Sequence, residues 1–261
     1  MQVLILPQSL LHQRTMTKFG KWAGIGGIVA GANHIRQDTK CQDAVLIKED
    51  KDYIVAAVAD GHGSSRCKYS LMGSNLAVKI ACEFLGGLME SGKDIFLTQK
   101  DIWIPKKIET AWKNAVFSDY NTNNYELYGT TLLAVLVSYD FIFVLQIGDG
   151  DIIAISNDNA YFIFNDIIKI GEDTESLCME ESWKYIKTAF ISPDNIDMIM
   201  LSSDGYSNSF ITESDFFQAG MDFYKLWNDK AYLQKNLPDW LYKTSQKGSG
   251  DDITVALIGK S

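Results

Sequence analysis

One short apolar stretch constrains this chain more than any other. Residues 53–59 read Tyr-Ile-Val-Ala-Ala-Val-Ala, which has the length and composition of a buried strand, and they end abruptly in the acid, histidine and glycines of 60–63. An apolar run followed by Asp-Gly occurs twice more, at 141–150 and 196–205. Three predicted strands therefore each end in an aspartate, namely Asp60, Asp149 and Asp204.

Asp-Gly is also a favoured two-residue hairpin turn, so each aspartate could simply reverse the chain between two strands. That interpretation fits Asp149, because the apolar residues 151–155 follow at once as a returning strand. It fits Asp60 and Asp204 poorly, because each is followed by a loop that leads into a helical pattern. We therefore treat Asp60 and Asp204 as candidate functional residues.

The order of helical and strand patterns predicts the fold class. Sequential short strands between residues 130 and 164 predict an antiparallel meander. The predicted helices cover residues 64–89, with Ser64 or Ser65 as the cap, a segment from Pro105, residues 212–227 and residues 230–245. Strands in runs with helices in two groups predict an α+β fold, a four-layer α-β-β-α sandwich in which two stacked antiparallel sheets are flanked by helices.

Composition limits the domain organisation and the partners. The chain has 261 residues and only four prolines, and no Pro/Gly/Ser-rich linker divides it, so we predict one domain over 16–261. Residues 1–15 look like a separate extension, and Met16 could be the true start. The formal charge of -9 and a pI near 4.8 argue against nucleic acid or an anionic membrane as the main partner.

The cysteine pattern bears on the compartment. Cys41, Cys67, Cys82 and Cys178 show no Cys-x-x-Cys spacing, so neither a zinc site nor a disulfide framework is indicated. Free thiols are typical of a reducing cytoplasm. We read no signal peptide and no run long enough to span a bilayer, and we expect a cytoplasmic protein without a membrane partner.

Acidic residues stand at the ends of several predicted strands. They are Asp43, Asp60, Asp149, Asp204 and Asp251. Because the start of one antiparallel strand lies beside the end of its neighbour, these carboxylates can converge on one rim, where they would repel each other unless cations held them. Aspartates suit hard ions such as Mg²⁺ or Mn²⁺, and two such ions about 3.5–4 Å apart commonly hydrolyse phosphate esters. His62 could then protonate a leaving alkoxide.

Five short motifs in order along residues 22–259 resemble the motif series of the metal-dependent protein phosphatase 2C family. They are Asp60-Gly61-His62-Gly63, Gly129-Thr130-Thr131, Ile147-Gly148-Asp149, Ser203-Asp204-Gly205 and Asp251-Asp252-Ile253-Thr254-Val255. Residues 171–177 also resemble a segment of the bacterial-type branch. The resemblance implies an enzyme that hydrolyses phosphoserine and phosphothreonine in a phosphoprotein substrate, with a cognate Ser/Thr kinase as a further partner.

The resemblance also implies roles for individual residues. Asp60 would bridge two ions, Mn²⁺ or Mg²⁺, with Asp204 and Asp251 on one and the Gly61 carbonyl on the other. Asp43 would act near the second ion, and Asp149 would help Asp204 to hold a possible third. A metal-bridged hydroxide would attack the phosphorus, and His62 would be the general acid.

The chain departs from the family pattern where a phosphate-binding arginine is expected. Asp38 stands in its place and Gln42 replaces an acid, so Arg36, Lys40, Arg66 or His34 could substitute. His34 alone reads as a solvated loop residue. Asp252 stands where asparagine is common, and its added charge could raise metal affinity. Two alternatives to the phosphatase therefore stay open: a phosphoprotein-binding module with weak or no turnover, and a two-metal phosphoesterase for small molecules.

Overall fold

The computed structural model describes the backbone of residues 15–19, 22–156, 159–164 and 174–260, and side chains from residue 22 onward. The extension before residue 15 and the first three residues of the 171–177 segment lie outside these ranges. The strands are β1 (Thr15–Phe19), β2 (Trp22–Val29), β3 (Ala44–Glu49), β4 (Tyr53–Ala59), β5 (Leu132–Ser138), β6 (Ile142–Ile147), β7 (Asp151–Ser156), β8 (Asn159–Phe162), β9 (Lys187–Ile191), β10 (Met198–Ser202) and β11 (Ile253–Lys260). The helices are α1 (Ala32–Arg36), α2 (Ser70–Leu88), α3 (Lys93–Gln99), α4 (Trp103–Tyr120), α5 (Asp204–Ser207), α6 (Glu213–Leu226) and α7 (Lys230–Lys247).

The strands form two sheets. One has the order β1-β2-β11-β10-β7-β8 and the other the order β3-β4-β5-β6-β9, and the described pairings are antiparallel. Three apolar clusters fill the spaces between layers: one under α2 and α4, one between the sheets, and one under α6 and α7. The predicted four-layer α-β-β-α sandwich is confirmed.

Strand β4 shows why the central strands must be apolar on both faces. Ile54, Ala56 and Val58 point into the cluster between the sheets. Val55, Ala57 and Ala59 point into the cluster beneath α2 and α4. Each face of the strand is covered by another layer, so the alternation of a half-buried strand is replaced by a continuous apolar run.

The predicted meander is wrong at one point. Strand β6 belongs to the five-stranded sheet, whereas β7 pairs with β10 in the six-stranded sheet. Residues 148–150 therefore cross from one sheet to the other, and Asp149 does not form a hairpin turn. Gly148 has a φ of 99°, and the Gln146 side-chain amide donates to the carbonyls of Gly148 (3.3 Å) and Gly150 (2.8 Å), which fixes the crossing.

Two predictions about the first long helix also need correction. The helix begins at Ser70 and not near Ser64 or Ser65, because Ser64 accepts the backbone N–H of Cys67 at 2.9 Å and closes a separate turn. By length and composition, Ser70–Ser91 is apolar enough to cross a bilayer, contrary to our expectation. Its buried residues, such as Ala77, Ala81 and Leu85, pack in the cluster above the five-stranded sheet, as in a core helix. The short helix α3 had no sequence prediction.

Candidate active site

The acidic residues lie where strands of both sheets end. Ala44 of β3 pairs with Ala59 of β4, so the preceding Asp43 and the following Asp60 occupy the same end of that sheet. In the other sheet, Asp204 follows β10 and Asp251 precedes its antiparallel neighbour β11. Asp43, Asp204 and Asp251 each act electrostatically on the Asp60 carboxyl group, so the structure brings these four acids together. We call them the acid rim.

The backbone at Asp60 is fixed by the two threonines of the Gly-Thr-Thr motif. The Asp60 N–H donates to Thr131 Oγ1 at 2.9 Å. The Asp60 carbonyl accepts from the Thr131 N–H (2.9 Å) and from Thr130 Oγ1 (2.8 Å). Gly61 then pairs with Thr130 as an isolated bridge. These contacts hold the Asp60 carboxylate and the Gly61 carbonyl at the acid rim. They explain why the Asp-Gly-His-Gly and Gly-Thr-Thr motifs occur together in this chain.

Burial and neighbouring charges disfavour the ionised forms of two acids of the rim. Burial, followed by the charges of Asp43 and Asp204, raises the pKa of Asp60 well above its ordinary value. Burial, followed by the charge of Asp149, raises the pKa of Asp204 to about 6. Since one carboxylate disfavours ionisation of the next, a bound cation would favour the charged forms of these groups.

The surroundings of the Asp43 carboxylate indicate whether this site fits a divalent cation. Its side chain is buried, and neither carboxylate oxygen accepts a hydrogen bond of good geometry, although the Thr254 and Ser203 hydroxyls lie close enough to lower its pKa slightly. Burial, followed by the charge of Asp252, raises the pKa of Asp43. A buried carboxylate without well-formed hydrogen bonds is costly, and a bound cation would satisfy it. The available donors are carboxylate and carbonyl oxygens, which are the ligands that Mg²⁺ and Mn²⁺ prefer.

His62 lies in the loop after Asp60 and packs against the glycine of the Gly-Thr-Thr motif. Its backbone N–H donates to the Gly129 carbonyl at 3.1 Å. Burial lowers the pKa of the His62 imidazole, and the nearby charge of Asp149 opposes that effect. With the Asp149 carboxylate nearby, the His62 imidazole can exchange a proton with a group at the acid rim.

Asp149 is exposed, as Asp251 is, whereas Asp43 is buried and Asp60 and Asp204 are half-buried. Asp149 stands at the crossing between the sheets, and its Oδ2 accepts a hydrogen bond from Thr174 Oγ1 at 2.6 Å. Its charge affects both the Asp204 carboxyl and the His62 imidazole. Asp149 therefore lies at the solvent side of the same site.

His34 was considered from the sequence only as a solvated residue or a substitute for the arginine, and its contacts with two acids were not predicted. It is not solvated as expected: its side chain is only 21% exposed, and Nδ1 lies 2.8 Å from Oδ1 of the buried Asp252. Nε2 lies 3.8 Å from Oδ1 of Asp251. The ligand atoms of these three residues fall within 4.8 Å of one another. Nothing in the local pattern around His34 indicates this contact, because its partners lie more than two hundred positions along the chain.

The basic residues considered for substrate phosphate are all exposed. Arg36 donates to the Asn33 side chain, and a guanidinium nitrogen of Arg66 lies 3.8 Å from a carboxylate oxygen of Glu126. Asp38, where the family pattern has an arginine, adopts a left-handed conformation with φ 54° in the turn after α1. Arg36 is thus the last residue of α1, and Lys40 follows in the irregular segment before β3.

Comparison with known proteins gives a consistent match. The family model described as Protein phosphatase 2C matches residues 30–242. A serine/threonine phosphatase stp of Listeria innocua is 23% identical over 250 residues, covering 87% of this chain and 92% of that protein.

Solved structures share the fold. The catalytic domain of the serine/threonine protein phosphatase PstP, in complex with two manganese ions, superposes with a TM-score of 0.61 at 16% identity, covering 92% of this chain and 98% of that one. RsbX in complex with magnesium has a TM-score of 0.60 at 16% identity, covering 95% and 100%. At these identities the likeness establishes a common architecture.

Proposed function

Because the chain belongs to the protein phosphatase 2C family, we propose that it removes phosphate from phosphoserine and phosphothreonine in proteins by a metal-dependent hydrolysis. The observation that carries this proposal is the acid rim, in which burial and neighbouring carboxylates raise the pKa of Asp60 and of Asp204. The phosphatase name of the Listeria innocua relative supports the substrate class.

We propose that the rim holds two Mn²⁺ or Mg²⁺ ions, with a possible third. Asp60 would bridge the two, Asp204 and Asp251 would bind one, and the Gly61 carbonyl and Asp43 would serve the other. Asp149 would share the third ion with Asp204. The manganese of PstP and the magnesium of RsbX support this choice of ions. When bound, such ions supply a nucleophile from water at neutral pH and neutralise charge on the phosphoryl group.

The protein's own residues would do the remaining work. Asp43 and Asp60 stand beside paired strand ends, so they would hold the ions, and through them the reacting phosphate, with little reorganisation. His62 would donate its proton to the serine or threonine oxygen as the bond to phosphorus breaks. The Asp149 carboxylate would help to keep that proton on His62.

Two further roles follow from the same proposal. Arg36 at the end of α1, Lys40 in the segment before β3 and Arg66 in the loop after β4 are exposed cations, and they are the candidates for contacting the substrate phosphate. A protein substrate must first be phosphorylated, so a Ser/Thr kinase would be the functional partner that supplies it.

The experiment compares substrates under one set of metal conditions. Phosphate release by the purified protein with Mn²⁺ is measured on phosphoserine, phosphothreonine and phosphotyrosine peptides and on sugar phosphates, with Asp204→Asn as the inactive control. We expect release from the first two peptides, little from the others, and none in the control. Preferential turnover of sugar phosphates would instead indicate a small-molecule phosphoesterase. Binding of phosphopeptides without release would indicate a recognition module.

A further inference from the structure

We propose that His34 is a nitrogen ligand to the divalent cation that Asp251 binds. This inference rests on the proposed metal-dependent function and adds one ligand of a different chemical type. The other proposed ligands are oxygen atoms, so a single imidazole would change which metal the site prefers.

The hydrogen bonds of Asp252 determine which nitrogen of His34 is available. Oδ1 of Asp252 accepts the backbone N–H of Gly31 at 2.7 Å and faces His34 Nδ1 at 2.8 Å, while Oδ2 accepts the N–H of Gln42 at 2.8 Å. A carboxylate surrounded by donors is an acceptor only, so Nδ1 carries the hydrogen. The lone pair of the neutral imidazole is therefore on Nε2, and a carboxylate that orients a histidine in this way is typical of metal sites.

The free nitrogen faces a carboxylate of the acid rim. Nε2 of His34 and Oδ1 of Asp251 are 3.8 Å apart, a separation at which both atoms can contact one ion after a small adjustment. The charge of Asp251 acts on both Asp60 and Asp204, which places this pair beside the other proposed ligands. The cation would thus lie between the rim and α1.

His34 is held in this position by more than its own hydrogen bond. Ser245 is fully buried, and its Oγ accepts the N–H of Ala32 at 3.0 Å and donates to the Asp251 carbonyl at 2.8 Å. The Asn33 N–H donates to the Gly250 carbonyl at 2.8 Å. A Cβ atom on Gly31 would lie 2.4 Å from the carbonyl carbon of Asp251, so only glycine permits this approach. Helix α1 is therefore packed closely against residues 250–252, and hydrogen bonds hold the two segments together.

A nitrogen ligand has a predictable consequence for selectivity. Imidazole suits Zn, Cu, Fe and Ni, whereas Mg²⁺ and Mn²⁺ prefer oxygen ligands. Of these two, Mg²⁺ is the smaller ion that gives up its bound waters reluctantly, so an imidazole ligand should favour Mn²⁺ over Mg²⁺. Losing an oriented histidine should weaken Mn²⁺ binding by roughly 10–100-fold, the range seen when the partners that orient metal ligands are changed. Mg²⁺ binding should change much less.

Pulsed electron paramagnetic resonance of Mn²⁺ detects a bound histidine nitrogen directly. Protein with ¹⁴N-histidine and ¹⁵N-histidine is titrated with Mn²⁺ from one ion per chain to saturation. The chain has three histidines, so His34→Gln can be compared with His12→Gln and His62→Gln, which remove the same side chain elsewhere. Circular dichroism checks that each variant is folded, and phosphopeptide turnover is measured in parallel.

We expect a nitrogen coupling in the unsubstituted protein that is lost in His34→Gln and kept in the other two variants. Mn²⁺ binding with turnover but no nitrogen coupling would overturn the inference and leave the phosphatase intact; His34 would then only brace Asp251. A coupling that disappears in His62→Gln instead would also overturn it. Absence of any Mn²⁺ binding by folded protein would reject both the inference and the metal-dependent function.

Discussion

The imidazole of His62 occupies space that any side chain at position 129 would take. A Cβ atom on Gly129 would lie 2.8 Å from Cδ2 of the His62 ring and 3.0 Å from Sγ of Cys67. A glycine at position 129 is therefore needed to leave room for the His62 ring. The same glycine also lies in the turn before β5.

Gly129→Ala should displace the His62 ring without removing any proposed metal ligand. We expect kcat on a phosphoserine peptide to fall by up to roughly 10²-fold, because small misplacements of a reacting group are costly. Mn²⁺ affinity, measured by calorimetry, should stay close to that of the unsubstituted protein. Gly87→Ala in α2 is the matched control, since a Cβ atom there meets nothing within 4 Å. Unchanged turnover in Gly129→Ala would contradict this role for the glycine.

The loss of kcat in His62→Gln should be larger for a substrate whose leaving group is poorer. A serine alkoxide needs a proton as it departs, and general acid catalysis contributes about 10²–10⁴-fold. The p-nitrophenolate ion leaves without protonation, so p-nitrophenyl phosphate should be affected far less. The two kcat values are compared at one Mn²⁺ concentration. An equal loss on both substrates would show that His62 is not the acid.

Protein depleted of metal with EDTA should lose stability as pH rises. Burial and like charges raise the pKa of Asp204 from 3.8 to about 6, so its contribution to stability is complete below the unfolded value and is lost as pH rises through about 6. Since one pKa unit corresponds to about 1.4 kcal/mol, Asp204 and the carboxylates that titrate with it account for on the order of 3 kcal/mol.

The corresponding measurement is the thermal midpoint of EDTA-treated protein between about pH 4 and about pH 7, which spans the unfolded and folded pKa values of Asp204. The midpoint should fall over this interval, Asp204→Asn should flatten the fall, and added Mn²⁺ should raise the midpoint most at the higher pH. A metal-free midpoint that rises with pH would mean that the carboxylates do not repel each other as the geometry requires.

Asp252→Asn should be destabilising although asparagine is common there in the family pattern. One oxygen of Asp252 accepts from Gly31 and His34 and the other from Gln42, and an amide cannot accept on both sides. A buried donor left without an acceptor costs about 1–3 kcal/mol. Urea unfolding gives the value directly. Equal stability of the two proteins would show that the three donors find other partners.

The architecture was predictable because its signals are local. Strand β4 is apolar on both faces and ends in Asp60, and this pattern needs only neighbouring residues to be recognised. The crossing at Asp149 was not predictable in this way. An Asp-Gly between two apolar strands is compatible with a hairpin or with a change of sheet, and only the pairing of β7 with β10 distinguishes the two.

The predictions for the start of α2 and for the environment of His34 were wrong for a related reason. Ser64 is a good cap by residue type, but its carbonyl is used by a preceding turn. His34 lies in a polar segment, and its contact with Asp252 depends on the close approach of Gly31 to residues 250–252. Such tertiary contacts have no periodicity from which they could be inferred.

The central claim is that the acid rim forms a catalytic metal site. Its most direct test is hydrolysis of p-nitrophenyl phosphate with Mn²⁺, with Mg²⁺ and with EDTA, alongside Asp204→Ala shown by circular dichroism to be folded. We predict turnover that requires the metal, is abolished by EDTA and is absent in Asp204→Ala. Turnover that persists in EDTA or in Asp204→Ala, or no turnover by folded protein at any metal concentration, would contradict the claim.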